Sequence, residues 1–294
     1  SVRRNARSYA LFASASGVVT FVVWRRSELF FLQHYSANAE MAFYSIAFAV
    51  VTALTALPTA LGDVVSPAVA TLYGAGATER IQRGYGRGAR LLVLVSLPVT
   101  AAALALGPET LKVIWGSDYS RAGDVFLILV APLPLIPLIN YARAFLTGIG
   151  LIRVPLMILA AAGVVNIGLD FLLVPRWDSI GAAVANVCAQ LSAGLPVLVY
   201  SRRKVGPIQW ETATLVRAAI VSALAGGVAW AAVWLVGGPG GLAVGLLAGS
   251  FAFVVLGALF RILTADDALW LDESVGGRLF RRWSRQWQGA EPAS

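Results

Sequence analysis

Apolar residues gather along the chain into about eight long blocks, near 9–33, 41–73, 89–107, 123–147, 154–174, 179–200, 212–236 and 240–263. Crossing the roughly 30 Å hydrocarbon layer takes about 20 mostly apolar residues in a helix. The blocks are long and do not alternate, which excludes strands. Helices satisfy their own backbone hydrogen bonds in lipid. The predicted fold class is therefore all-α, a polytopic membrane helix bundle of about eight transmembrane helices. The turns Ala37–Glu40, Arg176–Ser179 and Gly237–Gly241 are short, and the connection Gly107–Gly123 is longer.

Basic residues orient these spans. One set of connections carries Arg3, Arg4, Arg7, Arg80, Arg83, Arg87, Arg90, Arg143, Arg153, Arg202, Arg203, Lys204, Arg217 and Arg261, with Arg278, Arg281, Arg282 and Arg285 in the tail. The opposite set carries Lys112, Arg121 and Arg176. The asymmetry predicts a multi-pass membrane protein with both ends in the cytoplasm. In the tail, Leu279, Trp283 and Trp287 share one helical face and Arg278, Arg281 and Arg285 another. That pattern predicts an interfacial helix on anionic membrane lipids, with a solvated tail as the alternative.

Composition narrows the class. The chain of 294 residues is 58% hydrophobic and 13% charged, against about 45–50% and about 25% in soluble domains. A soluble enzyme and a nucleic-acid partner are excluded, despite the net charge of +8. One histidine (His34) and one cysteine (Cys188) leave no His/Cys metal cluster to this chain alone. No cofactor, metal or catalytic residue is predicted. The run Gly84-Tyr85-Gly86-Arg87-Gly88 lacks the strand and the GK[ST] of a phosphate loop, and reads as a cytoplasmic turn. Glu109, Asp118 and Asp124 in the longer connection have no partners for acid/base chemistry.

Ionisable groups inside the membrane carry the remaining signal, because each costs about 2.5–3.5 kcal/mol near a helix centre. Arg25, Arg26 and Glu28 fall within the first block. Arg25 and Glu28 are three apart and share a face, so they form either an internal ion pair or part of an anion-binding wall. Asp63 lies between Pro58 and Pro67, either in the membrane or on a projecting, solvated half of its helix. Pro132, Pro134 and Pro137 predict a bent, partly unwound fourth span, either a transport hinge or a static kink, followed by Asn140, Tyr141 and Arg143. Asn166 and Asp170 share a face, as do Asn186 and Gln190. The amides read as interhelical glue between alanine stripes, and Asp170, just before Pro175, as close to the outer end and within reach of water.

The segment Asn166-Ile-Gly-Leu-Asp-Phe-Leu-Leu-Val-Pro175 through Gly181-Ala-Ala-Val-Ala185 resembles a helical hairpin of bacterial polysaccharide flippases, which belong to the multidrug/oligosaccharidyl-lipid/polysaccharide exporter superfamily. Upstream, Tyr141-Ala-Arg-Ala-Phe-Leu-Thr-Gly-Ile-Gly150 is similar to the turn before that hairpin. Glu28-Leu-Phe-Phe-Leu and Ala42-Phe-Tyr44-Ser-Ile-Ala47 resemble the opening helices of the family's second lobe. The resemblance covers roughly residues 10–205, with Leu29 standing where relatives often have a basic residue.

It implies a C-terminal lobe over 1–205, two additional transmembrane helices over 206–263 and a cytoplasmic interfacial tail over 264–294. The implied activity is flipping of an undecaprenyl-diphosphate-linked oligosaccharide by alternating access, without covalent chemistry. Arg25, Arg26, Glu28, Asn140 and Arg143 would meet the substrate, and Asp63 and Asp170 would couple an ion. The missing first lobe, as more polypeptide or a partner chain, would close the cavity, and a glycan polymerase or glycosyltransferases would be neighbours. A multidrug cation antiporter and a non-transporting scaffold for glycan-assembly enzymes are the alternatives.

Overall fold

The computed structural model of the chain describes residues 27–206 and 212–262, less the side chains of residues 57–64. Arg25, Arg26 and the tail 264–294 lie outside the described residues, and so does the side chain of Asp63.

Among the described residues every regular element is helical. Helix α1 covers the described stretch 27–35, followed by α2 (Asn38–Gly74) and α3 (Thr78–Trp115). A short 3-10 turn, Ser117–Tyr119, leads to α4 (Ser120–Val130), α5 (Ile136–Gly148), α6 (Arg153–Val205), α7 (Thr212–Val236) and α8 (Gly238–Leu259). The apolar blocks from 41–73 onward coincide with these helices. By length and composition, Asn38–Ala56 within α2 and the helices α3, α6, α7 and α8 are long and apolar enough to cross a membrane. The architecture is an all-α polytopic membrane bundle.

Two long elements are broken where the sequence says they must be. Residues 131–135 separate α4 from α5. Pro132 and Pro134 remove ladder donors there, and the backbone compensates with tighter bonds: Ala131 N–H to Ile128 O at 3.2 Å and Leu133 N–H to Val130 O at 2.9 Å. The Ser96 hydroxyl on α3 donates to Pro134 O at 3.2 Å and ties the break to its neighbour. Helix α6 folds back on itself at Asp178, whose φ of 49° lies in a region favouring glycine. Asn166 and Asn186 would be about 30 Å apart in a straight helix, yet both donate to one oxygen of Glu28. A side chain at Gly181 would run into the Leu173 carbonyl, so glycine lets the two arms close.

Glu40, at the start of α2, fastens this corner. Its carboxylate accepts the Ser179 N–H at 3.3 Å, the Ser179 hydroxyl, and Arg121 Nε in an ion pair of 2.9 Å. Three elements, α2, α4 and the second arm of α6, are thereby joined beside the α6 break.

Packing forms two main cores. Leu32, Tyr44, Ala47, Val125, Phe126, Val174 and Ala182 fill one. Ile81, Tyr85, Ala89, Leu138, Phe145 and Val197 fill the other. Helices α7 and α8 lean on α3, with Leu94 meeting Ala218, Val221 and Ile262. The α7/α8 contact is a small-residue seam: a Cβ at Gly249 would stand 2.8 Å from that of Ala229, and one at Gly245 would stand 2.9 Å from the Ala229 carbonyl. Close backbone approach of this kind replaces hydrophobic driving force inside lipid.

Two local expectations are corrected. Gly84–Gly88 is not a turn but part of α3. The bare face of Gly88 receives Tyr141, whose hydroxyl occupies the space a Cβ there would need and donates to Gly84 O at 3.1 Å. The connection Gly107–Gly123 is largely helical as well, because α3 continues to Trp115, with Leu111 buried against its neighbours.

Candidate functional site

Helices α1 and α2 and the two arms of α6 bring polar side chains into the interior of the bundle. Glu28 on α1 is 1% exposed, and Asn166 and Asp170 on the first arm of α6 are fully buried. Asn186 on the second arm and Tyr44 on α2 are buried beside them. The alanines at 182, 185 and 189 leave room for this polar layer by keeping the α6 arms close to their neighbours.

The hydrogen-bond inventory does not balance. Asn186 Nδ2 donates to Glu28 Oε1 at 2.7 Å, and the Ser27 hydroxyl donates to Glu28 Oε2 at 3.2 Å. Asn166 Nδ2 has Ser27 Oγ at 2.9 Å, Glu28 Oε1 at 3.1 Å and Asp170 Oδ2 at 3.4 Å. An amide nitrogen has two protons for those three acceptors. Asn166 Oδ1, Asp170 Oδ1 and the Tyr44 hydroxyl are buried with no hydrogen-bond partner among the described residues. Neither carboxylate has an ion-pair partner there.

Two carboxylates around one amide in a dry interior cannot both remain charged without a counter-charge. The free acceptors, Asp170 Oδ1 and Asn166 Oδ1, are the atoms that would meet it. No group of three His, Cys, Asp or Glu side chains gathers among the described residues. The oxygen set of Glu28, Asp170 and Asn166 suits one proton or one small monovalent cation.

A second feature lies next to this cluster. A cavity of about 280 Å³ opens between α2, α5 and α6, lined by Thr52, Thr55, Asn140, Arg143, Asn186 and Gln190 among apolar side chains. Arg143 Nη2 donates to Asn140 Oδ1 at 2.9 Å, and the two stand on α5 just past the proline break. Asn186 belongs to both features. Its Nδ2 meets Glu28, and its Oδ1 accepts from Gln190 Nε2 on the cavity side.

Against the sequence expectations, the structure brings Asn140 and Arg143 together at the cavity. It places Glu28 elsewhere, with Asp170 in the buried cluster rather than on the cavity wall. Asp170 is sealed rather than water-exposed, because the first arm of α6 runs on past Pro175 to the break at Asp178. Sequence reasoning left Tyr44, Asn186 and Gln190 out of the site. The i, i+4 spacing of both amide pairs was the signal available, and only the folded-back α6 gives it a polar meaning.

Comparison with known proteins fits this architecture. The family model described as MatE matches residues 14–172, more than half of the chain. The chain belongs to the MatE family. Among solved structures, this MatE-family chain is similar to one described as "Lipid II flippase MurJ, inward closed conformation", with a TM-score of 0.64 and 14% identity. The match covers 85% of this chain and 52% of that one. The MatE-family chain thus spans about half the length of the MurJ structure and shares its fold. Comparison with curated proteins gave no match.

Proposed function

We propose that this chain is the C-terminal lobe of a flippase. It would move an undecaprenyl-diphosphate-linked oligosaccharide across the bacterial inner membrane by alternating access, for polysaccharide assembly. Residues 1–205 form the lobe, 206–263 add two helices, and 264–294 lie on anionic lipid at the cytoplasmic face, where both ends reside. A second lobe, from further polypeptide or from another chain, completes the cavity, and glycan-assembly enzymes receive the product.

The observation that carries this reading is the adjacency of two unlike features. Among the described residues, a pair of buried carboxylates with no ion-pair partner sits beside a cavity whose lining includes an arginine just past a broken helix. The pair supplies a site for a driving cation. Arg143 supplies paired donors for a phosphate oxygen, and the break at 131–135 supplies a place to bend. In this reading Arg25 and Arg26, three and two positions before Glu28 in the sequence, add positive charge for the substrate.

A cation-exporting antiporter is disfavoured, because Arg143 is the charged residue among those described as lining the cavity. The test is export in cells. Replacing Arg25, Arg26 and Arg143 with alanine stops surface polysaccharide while the protein remains in the membrane at its normal level. Unchanged export would reject the substrate assignment.

A further inference from the structure

We propose that Gln190 is a specificity-determining residue of the cavity, whose hydrogen-bonding polarity is set by the Glu28–Asp170 pair through Asn186. The proposal rests on the reading that the pair takes up a cation.

The chain of contacts is continuous. Glu28 Oε1 accepts from Asn186 Nδ2 at 2.7 Å, and Asn186 Oδ1 accepts from Gln190 Nε2. Asn186 is buried, Gln190 is half-buried, and both line the cavity. Each carboxamide has one acceptor end and one donor end. With Glu28 carrying its charge, Asn186 must turn its nitrogen inward. Its oxygen then faces Gln190, and Gln190 spends a donor on it. The Gln190 oxygen is left to the cavity, where it repels an ionised phosphate oxygen.

A positive charge arriving between Glu28 and Asp170 removes the reason for that orientation. The Asn186 oxygen is then the end attracted inward, and its nitrogen turns to Gln190. Gln190 must answer with its own oxygen, so its two N–H groups turn into the cavity beside Asn140 and Arg143. Two amide rotations, with no helix movement, convert an acceptor wall into a donor wall. Among the described residues, the groups facing Glu28 are Asp170 and Asn166 from the first arm of α6, Asn186 from the second arm, Tyr44 from α2 and Ser27 from its own helix. Among them, Asn186 is the one that also reaches the cavity.

The device makes the cavity bind an anionic head when the cation is present and release it when the cation leaves. Its energetic scale is one hydrogen bond to a charged partner in a dry site, roughly tenfold in affinity.

The experiment uses the full chain in lipid nanodiscs, with undecaprenyl diphosphate as the probe. Its affinity is measured in sodium chloride and in choline chloride, each at acid and at alkaline pH. Thermal stabilisation by the same cations is recorded in parallel as a report on the Glu28–Asp170 pair alone. In the parent chain the cation that stabilises the fold also tightens the probe about tenfold. In Gln190→Met the stabilisation persists and the tightening falls to near unity. In Gln190→Glu, which offers the cavity an acceptor and no amide N–H, the affinity stays at the weak level in every condition. Tightening that survives in Gln190→Met overturns the relay while leaving the cation site standing. Absence of stabilisation by any cation in the parent chain overturns the cation site and the relay together.

Discussion

Asn186 and Glu28, 158 positions apart in the chain, meet at 2.7 Å in the interior of the bundle. The bond satisfies one lone pair of a buried carboxylate, and Asn166 satisfies another from the facing arm of α6. Removing either donor leaves the carboxylate short of partners where water cannot replace them. A hydrogen bond to a charged group is worth about 1.5–3 kcal/mol. Asn186→Leu and Asn166→Leu are each expected to destabilise the chain by about that amount, read as a lowered melting temperature in detergent. Melting temperatures equal to the parent's would show that Glu28 is neutral and needs neither donor.

The Arg121–Glu40 ion pair predicts a contrasting result. The Arg121 side chain is 47% exposed, and pairs in such positions contribute about 0–1 kcal/mol. Glu40 also accepts the Ser179 N–H and hydroxyl at the α6 break. Glu40→Ala is therefore expected to cost clearly more than Arg121→Ala in the same melting assay. Equal losses would assign the corner's stability to the ion pair and not to the break.

The glycine seam between α7 and α8 predicts a cross-link. With Cys188 replaced by serine, cysteines at 229 and 249 come within reach of each other once the helices ease apart by about 1 Å, from the 2.8 Å approach of their Cβ positions to the usual Cβ separation of about 3.5–4.5 Å in a disulfide. Mild oxidation should give a band of altered mobility within one chain. Failure to form it would place α8 elsewhere. Gly249→Leu should separate the two helices and lower the melting temperature.

Much of the fold is legible in the sequence, because membrane helices announce themselves as apolar blocks about 20 residues long. The proline breaks at 132–134 and the turn near Asp178 are legible for the same local reason. The helical course through Gly84–Gly88 is not, since its cause is a partner, Tyr141, that lies 53 positions away from Gly88. The site is legible only in pieces. Asp170 and Glu28 stand out as charges in apolar blocks, but their meeting depends on the fold-back of α6. Asn186 and Gln190 read as packing amides until the structure shows one of them facing a carboxylate and the other a cavity.

Asn140 and Arg143 carry the prediction for substrate. Arg143→Ala should lower export of lipid-linked oligosaccharide by more than tenfold, and Asn140→Ala by less, because Asn140 acts partly by orienting the Arg143 guanidinium at 2.9 Å. Surface polysaccharide per unit of membrane protein is the measurement. Equal export in Arg143→Ala and the parent would remove Arg143 from the cavity's binding groups.

The central claim is that Glu28 and Asp170 hold the cation that drives transport. The most direct measurement is surface polysaccharide in cells carrying the double variant Glu28→Gln and Asp170→Asn. Both changes keep shape and one acceptor oxygen at each position while abolishing charge. The account predicts that export is lost while the protein remains folded in the membrane at parental levels. Export at the parental rate from that double variant would contradict it.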